Sequence, residues 1–118
     1  MRPLTPNEKT ALAKGLSQTL KERVGAQFKW LPVPGNSNGP IGYCGLVNIK
    51  NSRGGYVGFR RFFAMISKGP KGDYVAGRIE HIDPLASAGT GTEDDAIEAA
   101  LTEDNCKEWG YTDFNAAS

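Results

Sequence analysis

The sequence predicts a single α+β domain, residues 1–118, with a helix at each end and a three- to four-stranded antiparallel meander between them. Three observations carry this. Thr5-Pro6-Asn7-Glu8 is a helix-opening capping box, and Leu12, Leu16, Leu20 and Val24 follow it at every fourth position. Two turn signals, Asn51-Ser52-Arg53-Gly54 and Gly69-Pro70-Lys71-Gly72, separate three strand-like runs. Finally, Thr92 and three acids open an alanine-rich segment.

The first helix is expected at about 6–24, with Pro6 preset for its first turn and its leucine stripe on the sheet. In residues 27–34, Phe28 and Trp30 would share one face of a short strand that Pro32 and Pro34 confine to an edge. The loop to residue 41 is long for a compact domain. Its Gly35, Gly39 and Gly42 lack the spacing of a phosphate-binding loop.

Strands are expected at about 42–50, 55–67 and 74–83, the last closed by Asp83-Pro84. With both turns centred as written, Tyr43, Val47, Ile49, Tyr56, Phe62, Ala64, Ile66, Val75 and Ile79 share one face, together with Arg60 and His81. Both helices are expected to cover that face. The other face carries Cys44, Leu46, Phe59, Arg61, Phe63, Met65, Arg78, Glu80 and Ile82, with Arg61 opposite Glu80. A second helix is expected at about 93–109 with Ala96, Ile97, Ala100 and Leu101 buried.

The inferred order of helix, three strands and helix resembles that of double-stranded-RNA-binding domains, and Gly91-Thr92 before an alanine-rich helix is similar in position to their last helix. That family grips phosphate with lysines at this helix start. Here Glu93, Asp94 and Asp95 stand there and would repel an anion, which also argues against Gly89-Thr90-Gly91 as a phosphate cradle. No family is assigned on this ground.

Composition sets further limits. At 39% hydrophobic and 23% charged, the chain suits one folded core. Cys44 and Cys106 are far apart and in no metal-binding spacing, so they read as free thiols in a reducing compartment. No apolar run reaches the roughly 20 residues of a membrane span, and the first residues lack a secretory leader, so a soluble cytoplasmic protein is expected. The net charge of +1 hides a split: thirteen Lys and Arg against three acids before Ile79, one against ten after it. Two faces of opposite sign follow, and pairing of two copies, acidic part on basic part, would use them.

Catalytic signals are weak. His81 is the one histidine, and His81 with Asp83 could share a strand face as an acid-base pair, but a surface or edge histidine is the better reading. Glu93, Asp94 and Asp95 lack the alternation and turn glycine of a calcium loop, and Cys44 has no base beside it. No catalytic residue, cofactor or metal is assigned. The expected function is therefore a non-enzymatic binding or accessory module acting through protein contacts, self-associating as a homodimer through the open sheet face or a strand edge.

Two alternatives stand beside it. Single-stranded nucleic acid would lie on Phe59, Arg61, Phe63 and Arg78, flanked by Lys50, Arg53, Lys68 and Lys71. A small ligand or substrate would sit under the 31–41 loop, in a pocket lined by Trp30, Tyr43 and His81. The lack of known motifs also fits an orphan product of a phage or mobile element.

Overall fold

The computed structural model describes residues 1–20, 25–34, 39–51, 53–84 and 93–118. In chain order the elements are α1 (Pro6–Ser17), β1 (Gln27–Trp30), β2 (Ile41–Asn48), β3 (Arg60–Lys68), β4 (Tyr74–Ile82) and α2 (Glu93–Glu108). The four strands form one antiparallel sheet in the order β1-β2-β3-β4. The predicted α+β class holds, with 27–30 as the fourth strand.

The capping box forms as read. The Thr5 hydroxyl accepts from the Glu8 amide at 3.1 Å, and the Glu8 carboxylate accepts from the Thr5 amide at 2.9 Å. Glu8 does more than cap. It is fully buried, takes two bonds from the Arg2 guanidinium at 2.6 and 2.8 Å, and accepts from the Tyr74 amide at 2.8 Å. Held by Arg2 first and by these amides as well, its pKa falls to about 2 against the burial that would raise it.

The helix stops at Ser17, well short of residue 24. The Thr19 and Leu20 amides turn back onto the Leu16 and Ser17 carbonyls at 3.1 Å, and the Thr19 hydroxyl donates to the Leu16 carbonyl at 2.7 Å. Thr19 competes in this way for the carbonyl a further helical turn would use. Leu20 still reaches the core. The rest of the expected helix, including Val24, lies outside the described residues, as do the Thr92 cap and residues 89–91.

Strand register decides which residue meets which helix. In β2–β3, Tyr43 faces Ala64 and Cys44 faces Phe63, a two-residue offset that leaves the predicted faces unchanged. In β3–β4 the register shifts between Phe63 and Ala64 and again between Ser67 and Lys68. Each shift turns β4 residues over. His81 therefore pairs with Phe63 and leaves the Tyr43 face, while Ile82 joins Phe62 on it. At the other end Tyr74 is buried, and Val75, expected in the core, is 44% exposed.

The helices take opposite faces, contrary to expectation. Gly77 pairs with Ile66, on the Tyr43 side, and a β-carbon on Gly77 would lie 3.1 Å from the Leu16 side chain of α1. Cys44, on the other side, is joined to Cys106 of α2. Two glycines allow the close approach of α1: a β-carbon on Gly15 would lie 3.3 Å from the Gly77 carbonyl oxygen.

The core lies mainly on the α1 side, where Leu12, Leu16, Ile41, Val47, Ile66 and Phe62 are buried. An aromatic layer of Phe28, Trp30, Tyr43, Phe62 and Tyr111 continues it towards β1. The Tyr43 hydroxyl bridges the strand exit by accepting from the Leu31 amide and donating to the Leu31 carbonyl, both at 2.7 Å.

Both sheet edges are partly occupied. On β4 the Tyr74 and Ile79 amides donate to Glu8 and Thr19. On β1 the Trp30 backbone exchanges two bonds with Ser118. Such cover shortens the bare edge that strand addition needs.

Candidate protein-contact surface

Helix α2 is set on the sheet by a covalent bond. The Cys44–Cys106 disulfide joins β2 to α2 across a separation of 62 residues. Both half-cystines are fully buried, so the expectation of free thiols is overturned. The inference of a reducing compartment loses its premise with them. Sequence spacing could not reveal the pair, because the fold alone brings the two positions together, at a Cα separation of 5.9 Å.

The tether fixes which way α2 faces. Thr102 and Cys106 are its buried residues, with Asp95, Ala99 and Asn105 half-buried. The inward stripe is thus small, which lets α2 lie close to the sheet. Trp109, just after the helix, lies against Gly42, where any β-carbon would collide with the indole ring. The expected buried stripe of Ala96, Ile97, Ala100 and Leu101 instead faces outward: Ile97 is 52% exposed and Leu101 38%. Around it stand Glu93, Asp94, Glu98, Glu103, Asp104 and Glu108, with Lys107 as the single base of the helix. An apolar stripe with an acidic frame results.

α2 also closes the sheet face that was expected to be open. Phe63 is buried beneath it, and the His81 ring stacks on Phe63 at a centroid distance of 6.1 Å. His81 Nδ1 lies 3.9 Å from the Glu98 carboxylate of α2. Asp83 is elsewhere engaged. It takes two bonds from Arg61 at 2.6 and 3.3 Å, its carbonyl accepts from Arg60 at 3.0 Å, and its amide donates to the Arg61 carbonyl. The predicted Arg61–Glu80 pair is therefore replaced by Arg61–Asp83, and the His81–Asp83 pairing is not made. The consecutive arginines reach one residue by using different atoms of it. Arg60 Nε is buried without a partner among the described residues, and burial lowers that guanidinium's pKa.

The residues expected to bind nucleic acid are dispersed. Phe63 is buried, Arg61 is paired and lies over the Phe114 ring, and Arg78 is exposed on β4. Lys50 and Arg53 belong to the β2–β3 hairpin, whereas Lys68 and Lys71 lie at the opposite end of β3. Phe59 stays at the surface, 38% exposed, with Lys29 Nζ 4.5 Å from its ring centre. Beside it Tyr56 and Val57 are 42% and 40% exposed, and Lys50 Nζ lies 5.5 Å from the Tyr56 ring centre. This is a second apolar patch, framed by cations.

The trio expected to line a pocket is also divided. Trp30 and Tyr43 pack together at 6.4 Å in the aromatic layer, on the sheet face away from His81. His81 instead lines an open cleft of roughly 530 Å³ between the sheet and α2, with Phe63, Met65, Glu80, Asn105, Glu108 and Trp109. No group of three or more His, Cys, Asp or Glu among the described residues is placed to hold a metal ion. No described helix is long and apolar enough to cross a membrane. Compared with protein-family models, curated proteins and solved structures, the chain matches none.

Proposed function

We propose that this protein is a non-enzymatic binding module that acts through contact with another protein, and that the outward face of α2 is its contact surface. The observation that carries the reading is the inversion of α2, which turns Ile97 and Leu101 outward and small residues inward. Exposed aliphatic side chains framed by charge suit the centre and rim of a protein interface. The disulfide supports action in a compartment where such bonds persist. The test is retention of a partner by the immobilised chain, compared with Ile97→Asp plus Leu101→Asp. Loss of specifically retained protein is expected. Equal retention by the variant would reject α2 as the surface.

A second reading rests on the cleft beside His81. Among the described residues its lining combines Phe63, Trp109 and two carboxylates with no lysine or arginine, a setting that favours a small organic cation. A change in the Trp109 signal on titration with a quaternary ammonium compound, absent in Glu108→Gln, would support it. No response at millimolar ligand would remove it.

A further inference from the structure

The partner of α2 follows from comparing the two exposed apolar patches, an inference that rests on α2 being the contact surface. We propose that the occupant of the outward face of α2 is the β2–β3 hairpin of a second copy of this chain, through Lys50, Arg53, Tyr56, Val57 and Phe59. The two surfaces are complementary in charge. α2 carries seven acids and one lysine, whereas the hairpin carries Lys50 and Arg53 without an acid and has Lys29 beside it. Each surface has an apolar centre, Ile97 and Leu101 on one and Tyr56, Val57 and Phe59 on the other.

Pairing of like with like is disfavoured. Two α2 helices would bring their acids together, and two hairpins their cations. Only the unlike pairing satisfies both charge and apolar area.

The hairpin is organised before any partner arrives. The Asn51 side chain accepts from the Arg53 and Gly55 amides at 2.9 and 3.0 Å, and Asn48 accepts from the Gly58 amide at 3.0 Å. Gly54 and Gly58 supply positive φ values of 82° and 108° that other residues rarely adopt. The Tyr56 hydroxyl donates to the Gly25 carbonyl, which holds that ring at the surface. A pre-formed loop loses little freedom on docking. Made reciprocally, the contact closes into an isologous dimer; made head to tail, it is heterologous and builds larger assemblies.

A complementation experiment tests this by sedimentation equilibrium. One variant, Ile97→Asp plus Leu101→Asp, keeps its hairpin; the other, Val57→Ser plus Phe59→Ser, keeps its α2. Wild type is expected to associate, with a dissociation constant that rises about tenfold or more between low and high salt. Each variant alone is expected to be a monomer, and an equimolar mixture to form a one-to-one complex through the surviving pair of surfaces.

A charge exchange controls for damage to the fold. Lys50→Glu plus Arg53→Glu should abolish association, and adding Asp94→Lys plus Asp104→Lys to the same chain should restore it. Asp94 and Asp104 lie three residues before Ile97 and three after Leu101, on the same side of the helix. A wild-type monomer at millimolar concentration, or a mixture that stays monomeric, overturns the proposal. Should the chain be monomeric while Ile97→Asp plus Leu101→Asp still loses a retained protein, α2 remains the contact surface and only the second copy is excluded. Should that variant retain the protein, the α2 reading itself falls.

Discussion

Cys44 in the second strand and Cys106 near the end of α2 form a buried bond, and that bond decides which side of the helix the surroundings meet. With Thr102 and Cys106 as its only fully buried residues, α2 has little apolar grip of its own. Reduction, or Cys44→Ala plus Cys106→Ala, is expected to cost roughly 2–5 kcal/mol and to loosen α2 before the strands. Amide exchange would show protection falling first across 93–108. Equal protection with and without the bond would mean that packing alone holds the helix.

Glu8 should give stability an acid limb. Its folded pKa of about 2 lies below the ordinary glutamate value of 4.5, so its contribution is present above about pH 4.5 and is lost as pH falls towards 2. Glu8→Gln should cost on the order of 2 kcal/mol near neutral pH and flatten the stability profile between those limits. Denaturant titration at several pH values reads both effects. An unchanged acid limb would place its origin elsewhere.

Gly42 and Gly77 hold space for opposite helices. Gly42→Ala should displace the Trp109 ring and move its indole N–H signal, while leaving α1 in place. Gly77→Ala meets Ile66 at 2.9 Å and Leu16 at 3.1 Å, and is expected to cost about 1–3 kcal/mol by overpacking. If both substitutions disturb the same helix, the assignment of helices to opposite faces is wrong.

Tyr43→Phe removes a hydroxyl that serves both the amide and the carbonyl of Leu31. The cost is expected to be about 1–3 kcal/mol because those groups stay buried. Burial also pushes the Tyr43 and Tyr111 phenols well above the ordinary tyrosine range. Absorbance titration with alkali should therefore find these two ionising only as the fold is lost. Their early ionisation in the folded protein would contradict the burial.

The element order was legible because its signals are local. A capping box, two turn signals and leucines at helical spacing each act within a few residues. The direction α2 faces was not legible, since its larger apolar residues suggest burial while a bond to a distant strand dictates the reverse. His81 and Val75 were misplaced because single-residue register shifts in β4 leave no mark in composition. The adjacent arginines did hold a clue, since neighbours on a strand cannot both face solvent. Only the structure supplied Asp83 as their common partner.

Whether Ile97 and Leu101 form a contact surface is read by solvent paramagnetic relaxation of their methyl groups. The partner-bound chain, or the concentrated chain if it pairs with itself, is compared with the free monomer. Strong relaxation of the Ile97 and Leu101 methyls is expected in the monomer and marked protection in the complex, while the buried Leu12 and Leu16 methyls stay protected throughout. A complex in which Ile97 and Leu101 remain as accessible as in the monomer would contradict a contact surface there.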